Sequence, residues 1–128
     1  MSNVKLDKNQ ISKIKGTTFH QINGLNTLDL SNNRIEDIIN LFSHLDDLVD
    51  LNLDNNVIKV LNPNNFSVFN GLPFTSISLT GNLISKIEEG SFDDTEELRY
   101  LKLGSNKIGD LTLTSLGALE NEDSELRR

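Results

Sequence analysis

Leu51-Asn52-Leu53-Asp54-Asn55-Asn56-Val57-Ile58 has four counterparts in the same chain. They are Val4-Lys5-Leu6-Asp7-Lys8-Asn9-Gln10-Ile11, Leu28-Asp29-Leu30-Ser31-Asn32-Asn33-Arg34-Ile35, Ile77-Ser78-Leu79-Thr80-Gly81-Asn82-Leu83-Ile84 and Leu101-Lys102-Leu103-Gly104-Ser105-Asn106-Lys107-Ile108. Their sixth residues, Asn9, Asn33, Asn56, Asn82 and Asn106, stand 24, 23, 26 and 24 residues apart. A period of this length marks a stacked repeat in which each unit packs on its neighbours. The aliphatic pair opening each block is two residues apart, so both side chains share one face of a short strand. The asparagine falls where the chain leaves that strand. Its amide offers two donors and an acceptor to backbone groups that would otherwise be buried unpaired. Stacked copies therefore predict an asparagine ladder.

The flanks repeat as well. Met1, Leu25, Leu48, Phe74 and Leu98 precede the strands, and Ile14, Ile38, Leu61, Ile87 and Leu111 follow them. Further on come Phe19, Phe42, Phe66, Phe92 and Leu116, which would fill the far side of each coil. This L-x-x-L-x-L-x-x-N-x-I pattern with a phenylalanine in the returning leg resembles the leucine-rich repeat family, specifically its class of roughly 24-residue repeats. The resemblance covers about residues 1–119 and implies an α/β repeat solenoid: a right-handed horseshoe with a concave parallel β-sheet. Its returning legs would be short helix, 3₁₀ turn or extended chain. The third unit is the longest, and Pro63, Asn64, Asn65, Asn70, Gly71 and Pro73 predict a bulge on its convex side. Carrying the register onward puts Glu122, Glu125 and Arg127 on apolar positions, so residues 120–128 read as a polar tail.

The 128 residues suit one domain. Twelve basic residues against 19 acidic ones give a net charge of -7, which argues against nucleic acid and against a polybasic membrane contact. No run of about 18 apolar residues exists, so membrane insertion is not expected. Without cysteine the chain has no disulfide, thiolate nucleophile or cysteine-zinc site. Its polar start, Met1-Ser2-Asn3-Val4-Lys5, lacks a signal-peptide core. A complete chain of this kind would be cytoplasmic, whereas a receptor fragment would be extracellular. Members of the resembled class with extracellular roles usually carry cysteine-rich caps, and this chain has none. Met1, Val4, Leu6, Ile11, Ile14 and Phe19 would then face no neighbour, which reads as a fragment of a longer solenoid, a first repeat that pairs end to end with a second copy, or a tolerated bare end.

Catalytic signatures are missing: there is no nucleotide loop, no G-x-S-x-G and no H-E-x-x-H. No cofactor, metal or catalytic residue is expected. His20 and His44 fall one repeat apart, with no third ligand in view, and read as exposed residues. Asp46-Asp47, and Asp93-Asp94 with Glu96-Glu97, lack the layout of a calcium loop. A sequon, Asn65-Phe66-Ser67, carries little weight on its own.

With leucines inside, the variable strand positions form the concave surface. Three columns cross it: Asn3, Thr27, Asp50, Ser76 and Tyr100; then Lys5, Asp29, Asn52, Ser78 and Lys102; then Asp7, Ser31, Asp54, Thr80 and Gly104. They predict an acidic centre of Asp29, Asp50 and Asp54 beside Asn52, a hydroxyl stretch of Ser76, Ser78 and Thr80, and a basic-aromatic patch of Arg99, Tyr100 and Lys102. Tyrosine and arginine often anchor interfaces. Five strands about 4.8 Å apart give a face near 400 Å², about half of one partner's share in a standard interface. The resemblance implies a non-enzymatic module that binds a protein or peptide there, as in receptors and adhesion proteins. A self-assembling structural protein and an intracellular adaptor are the alternatives.

Overall fold

The computed structural model describes residues 2–109 and 125–127. Each repeated block begins with a strand: β1 (Ser2–Lys5), β2 (Leu25–Asp29), β3 (Asp50–Asn52), β5 (Ser76–Ser78) and β7 (Tyr100–Lys102). Together with β8 (Glu125–Arg127) they form one parallel six-stranded sheet in the order β1-β2-β3-β5-β7-β8. On the return side, β4 (Val60–Leu61) and β6 (Lys86–Ile87) make a second, two-stranded parallel sheet. The molecule is a parallel-strand solenoid, with four complete turns between β1 and β7.

Alternation along each strand sets the core. Leu28, Leu51, Ile77 and Leu101 lie side by side in the sheet, and all are buried. Leu30, Leu53, Leu79 and Leu103 continue the same inward face and are buried too. Each such side chain contributes about 1.5–3 kcal/mol relative to exposure.

The ladder forms as the spacing predicts. Asn56 Nδ2 donates to Leu53 O (3.0 Å) in its own turn and to Leu30 O (3.0 Å) in the turn before, while its Oδ1 accepts from Ile35 N (2.9 Å). Asn33, Asn82 and Asn106 repeat the arrangement, with Oδ1 accepting from Ile11, Ile58 and Ile84. Among the described residues Asn9 has only the bonds within its own turn, to Leu6 O and Asp7 O, and is exposed. The residue before each ladder asparagine turns the chain in the left-handed region: Lys8, Asn32, Asn55, Gly81 and Ser105 all have φ between 55° and 74°. A Cβ on Gly81 would meet the Asn55 side-chain oxygen, so a larger residue there must push that side chain aside as well as hold a left-handed φ.

The returning legs are mostly turns. Helix occurs in the longest leg, where the sequence predicts a bulge: α1 (Pro63–Phe66) runs into a 3₁₀ turn, Ser67–Phe69. Asn62 caps α1, and Asn65 Oδ1 accepts from Asn62 N in a capping box. Asn65 is therefore buried and bonded, which removes the sequon from the accessible surface. The extra length supplies a second aromatic. Phe66 stacks on Phe92 at 5.3 Å, whereas Phe42 stacks on Phe69 at 5.8 Å and Phe69 on Phe74 at 4.0 Å. The phenylalanine column read from the sequence thus omits Phe69, which stacks on Phe42 in the turn before.

At the C-terminal end β8 pairs Leu126 with Leu101, Glu125 with Tyr100 and Arg127 with Lys102. This corrects the expected register by one residue: Leu126, not Glu125 or Arg127, pairs with Leu101. Leu111, Leu116 and the expected boundary between residues 119 and 120 lie outside the described residues.

Candidate functional site

Two of the three expected surface columns stand in register across the sheet. Thr27, Asp50, Ser76 and Tyr100 are successive partners, as are Asp29, Asn52, Ser78 and Lys102, with Asn3 and Lys5 on β1 completing the rows. Their centre is a depression of about 300 Å³ lined by Asp29, Asp50, Asn52, Asp54, Ser78 and Lys102, among others. Asp50 and Lys102 are exposed; Asp29, Asn52, Asp54, Ser76 and Ser78 are half-buried.

Hydrogen bonds organise this surface. Asp29 Oδ1 accepts from Ser31 N (3.0 Å) and Ser31 Oγ (2.6 Å). Asn52 Oδ1 accepts from Asp54 N (2.9 Å). Asp54 Oδ1 accepts from Ser78 Oγ and from Thr80 N (2.8 Å), bridging β3 to the next turn. These bonds fix two carboxylates and an amide at the lip of the depression, so little side-chain entropy remains to be lost there on binding.

They also change two expectations. Ser31 is buried behind Asp29 and leaves the outer surface. Ser76, Ser78 and Thr80 are not an equivalent hydroxyl stretch, because the Ser78 hydroxyl is committed to Asp54. The signal for this was local: Asp-x-Ser and Asn-x-Asp spacings favour side chain to backbone bonds two residues on.

In the third group, Tyr100 and Lys102 share the outer face of β7, and Tyr100 is 48% exposed. Lys102 reaches the depression and places a positive charge beside the three carboxylates. Arg99 is exposed and lies one residue before β7, where its N–H donates to Thr75 O. Sequence reasoning missed Glu125 and Arg127, whose backbone β8 sets beside Tyr100 and Lys102. The pointer was Leu126, 25 residues after Leu101.

His20 and His44 meet edge to face, with ring centroids 3.9 Å apart, and both are exposed. Among the described residues no group of three or more His, Asp or Glu could hold a metal ion. Among them, too, no helix is long and apolar enough to cross a membrane.

The model of the family described as leucine rich repeat matches residues 1–58 and 73–121. The chain belongs to the leucine-rich repeat family. Mouse (Mus musculus) keratocan is 29% identical over 122 residues, covering 91% of this chain and 33% of its own length. Among solved structures, Toll from the Toll–Spätzle complex of Drosophila superposes with a TM-score of 0.78 at 28% identity, over 95% of this chain and 17% of that one. The TLR13–ssRNA13 complex gives a TM-score of 0.83 at 26% identity, over 91% of this chain and 16% of that one. This leucine-rich repeat chain thus spans a third or less of the length of these relatives. Its horseshoe architecture and its likeness to signalling receptors follow from these matches.

Proposed function

We propose that this solenoid is a non-enzymatic recognition module whose concave face binds a protein or peptide carrying a basic segment. The supporting observation is the depression across β2, β3 and β5, where Asp29, Asp50 and Asp54 converge and two of the three are held by hydrogen bonds. Tyr100 beside it supplies an exposed aromatic anchor, and Lys102 at the β7 side of the depression, with Arg99 before it, brings the opposite charge. A partner with its basic residues over β2 and β3 and its acidic residues over β7 matches that order. Toll, a relative in fold, is found in complex with Spätzle, which supports a protein ligand. TLR13 is found with single-stranded RNA, but a net charge of -7 disfavours a phosphate backbone on this chain.

The test is an array of synthetic 15-residue peptides of graded charge, with a single-stranded RNA oligonucleotide alongside. The wild-type chain is expected to retain basic peptides and not the RNA. Asp50→Lys on the concave face should abolish retention, while Glu36→Lys, the same charge change at an exposed residue paired with Lys59, should leave most of it. Equal losses from the two variants would reduce the effect to net charge and refute the concave site.

A further inference from the structure

We infer that Asn70-Gly71 is a site of spontaneous covalent modification, at which the asparagine cyclises onto the next peptide nitrogen and reopens as aspartate and isoaspartate. The two residues form the corner that closes the long third leg. Leu72 N donates to Phe69 O at 2.9 Å, Asn70 has φ -57° and ψ 124°, and Gly71 has φ +73°. These are the angles of a type II turn, whose third position favours glycine. The peptide between its two central residues takes no part in the closing bond. The Gly71 N–H accordingly makes no hydrogen bond among the described residues, although Asn70 N and Leu72 N on either side both do. Asn70 is exposed, its side-chain amide has no hydrogen-bond partner among the described residues, and a Cβ built on Gly71 would meet nothing within 4 Å. A nucleophilic nitrogen, an electrophilic amide carbon and room to move thus stand together.

The reaction needs only water. The Gly71 nitrogen attacks Asn70 Cγ, a new N–C bond closes a five-membered succinimide, and the Cγ–Nδ2 bond breaks. The side-chain nitrogen leaves as ammonia, taking up the proton that Gly71 N gives to solvent. Water then opens one of the two ring carbonyls. Opening at the side-chain carbonyl gives aspartate. Opening at the main-chain carbonyl gives isoaspartate, with one extra methylene in the backbone. To attack, the Gly71 nitrogen must swing toward Asn70 Cγ, which opens one bond, Leu72 N to Phe69 O, and displaces nothing packed on Gly71. The sequence holds one other Asn-Gly pair, Asn23-Gly24. There Gly24 is half-buried and runs straight into β2, and the pair lines a small depression shared with His44, Leu45 and Asp46 of the next turn. Movement of that peptide disturbs the sheet, so it reacts only when a larger piece of the fold opens. The extra methylene at Asn70 has a structural effect too. It falls inside the turn that seats Phe69, a buried ring stacked on Phe42 and Phe74.

Incubation of the full chain at 37 °C and mildly alkaline pH, followed by tandem mass spectrometry and isoaspartyl methyltransferase labelling, tests this. The expected result is a mass gain of one dalton located at Asn70, with isoaspartate among the products, at a rate at least about tenfold above that at Asn23 in the folded chain. In concentrated urea the two pairs should convert at similar rates, because the protection of Asn23 is then gone. The aged wild-type chain should show a lower urea midpoint than the fresh one, while Asn70→Gln aged in parallel keeps its midpoint. Asn70→Asp carries the product's charge on an ordinary backbone and should match the fresh wild-type chain. No conversion at Asn70, or equal or faster conversion at Asn23 in the folded chain, would overturn the inference. An aged chain as stable as the fresh one would overturn the link between this turn and the Phe69 stack.

Discussion

Along the third strand and the two residues after it, Leu51 and Leu53 are fully buried, while Asp50 is exposed and Asn52 and Asp54 are half-buried on the other side. A few ångströms of backbone separate two surfaces with different rules. Inside, every turn repeats the same residue types because each side chain meets its counterpart one turn away, and Asn56 completes the bonds of the turn before it. Outside, no neighbour dictates the residue, so charge and hydroxyls vary from strand to strand. Stacking fixes the inner face and leaves the outer face free to vary. The pre-bonded carboxylates of Asp29 and Asp54 show that the outer face is nonetheless ordered.

The contrast can be broken from either side. Phe66→Ala removes a fully buried ring stacked on Phe92 and should cost about 3–5 kcal/mol, read as a lowered urea midpoint. Gly81→Ala forces a Cβ into a left-handed residue against Asn55 and should cost about 1–3 kcal/mol; a loss below that range would mean the turn relaxes without its glycine. Asn9→Leu tests whether the inner rule depends on having a neighbour. Asn9 is exposed and, among the described residues, bonds only within its own turn, so the expected loss is about 0.5–1 kcal/mol. Tyr100→Ala on the outer face should leave the urea midpoint unchanged and weaken retention of the peptides bound by the wild-type chain. A stability loss like that of Phe66→Ala would place Tyr100 with the core instead.

The inner face was the more legible in the sequence. Leucines at a spacing of two and asparagines at a period near 24 leave one way to stack, and the strand register follows from it. What escaped the reading lies where the period stretches or local bonds compete. The long third leg inserts Phe69, whose role depends on a 3₁₀ turn that no spacing reveals. Ser31 looks like a surface hydroxyl until Asp29 draws it under. The one-residue slip at Leu126 arose from carrying a variable period onward as if it were fixed. The surface columns were legible as an alignment, but the depression they line depends on the bonds from Ser78 and Thr80 to Asp54, across two turns.

Urea unfolding of Asn56→Leu and Asn52→Ala, measured side by side, tests the division between the two faces most directly. Asn56→Leu takes the acceptor from Ile35 N inside the coil and one of two donors from each of Leu30 O and Leu53 O, which keep Asn33 Nδ2 and Asn82 Nδ2, and should cost about 2–4 kcal/mol. Asn52→Ala gives up one half-buried bond from Asp54 N and should cost about 0.5–1 kcal/mol. That several-fold gap is the result the account predicts. Comparable losses would contradict it, because they would mean that the two asparagines do not face opposite sides of the sheet.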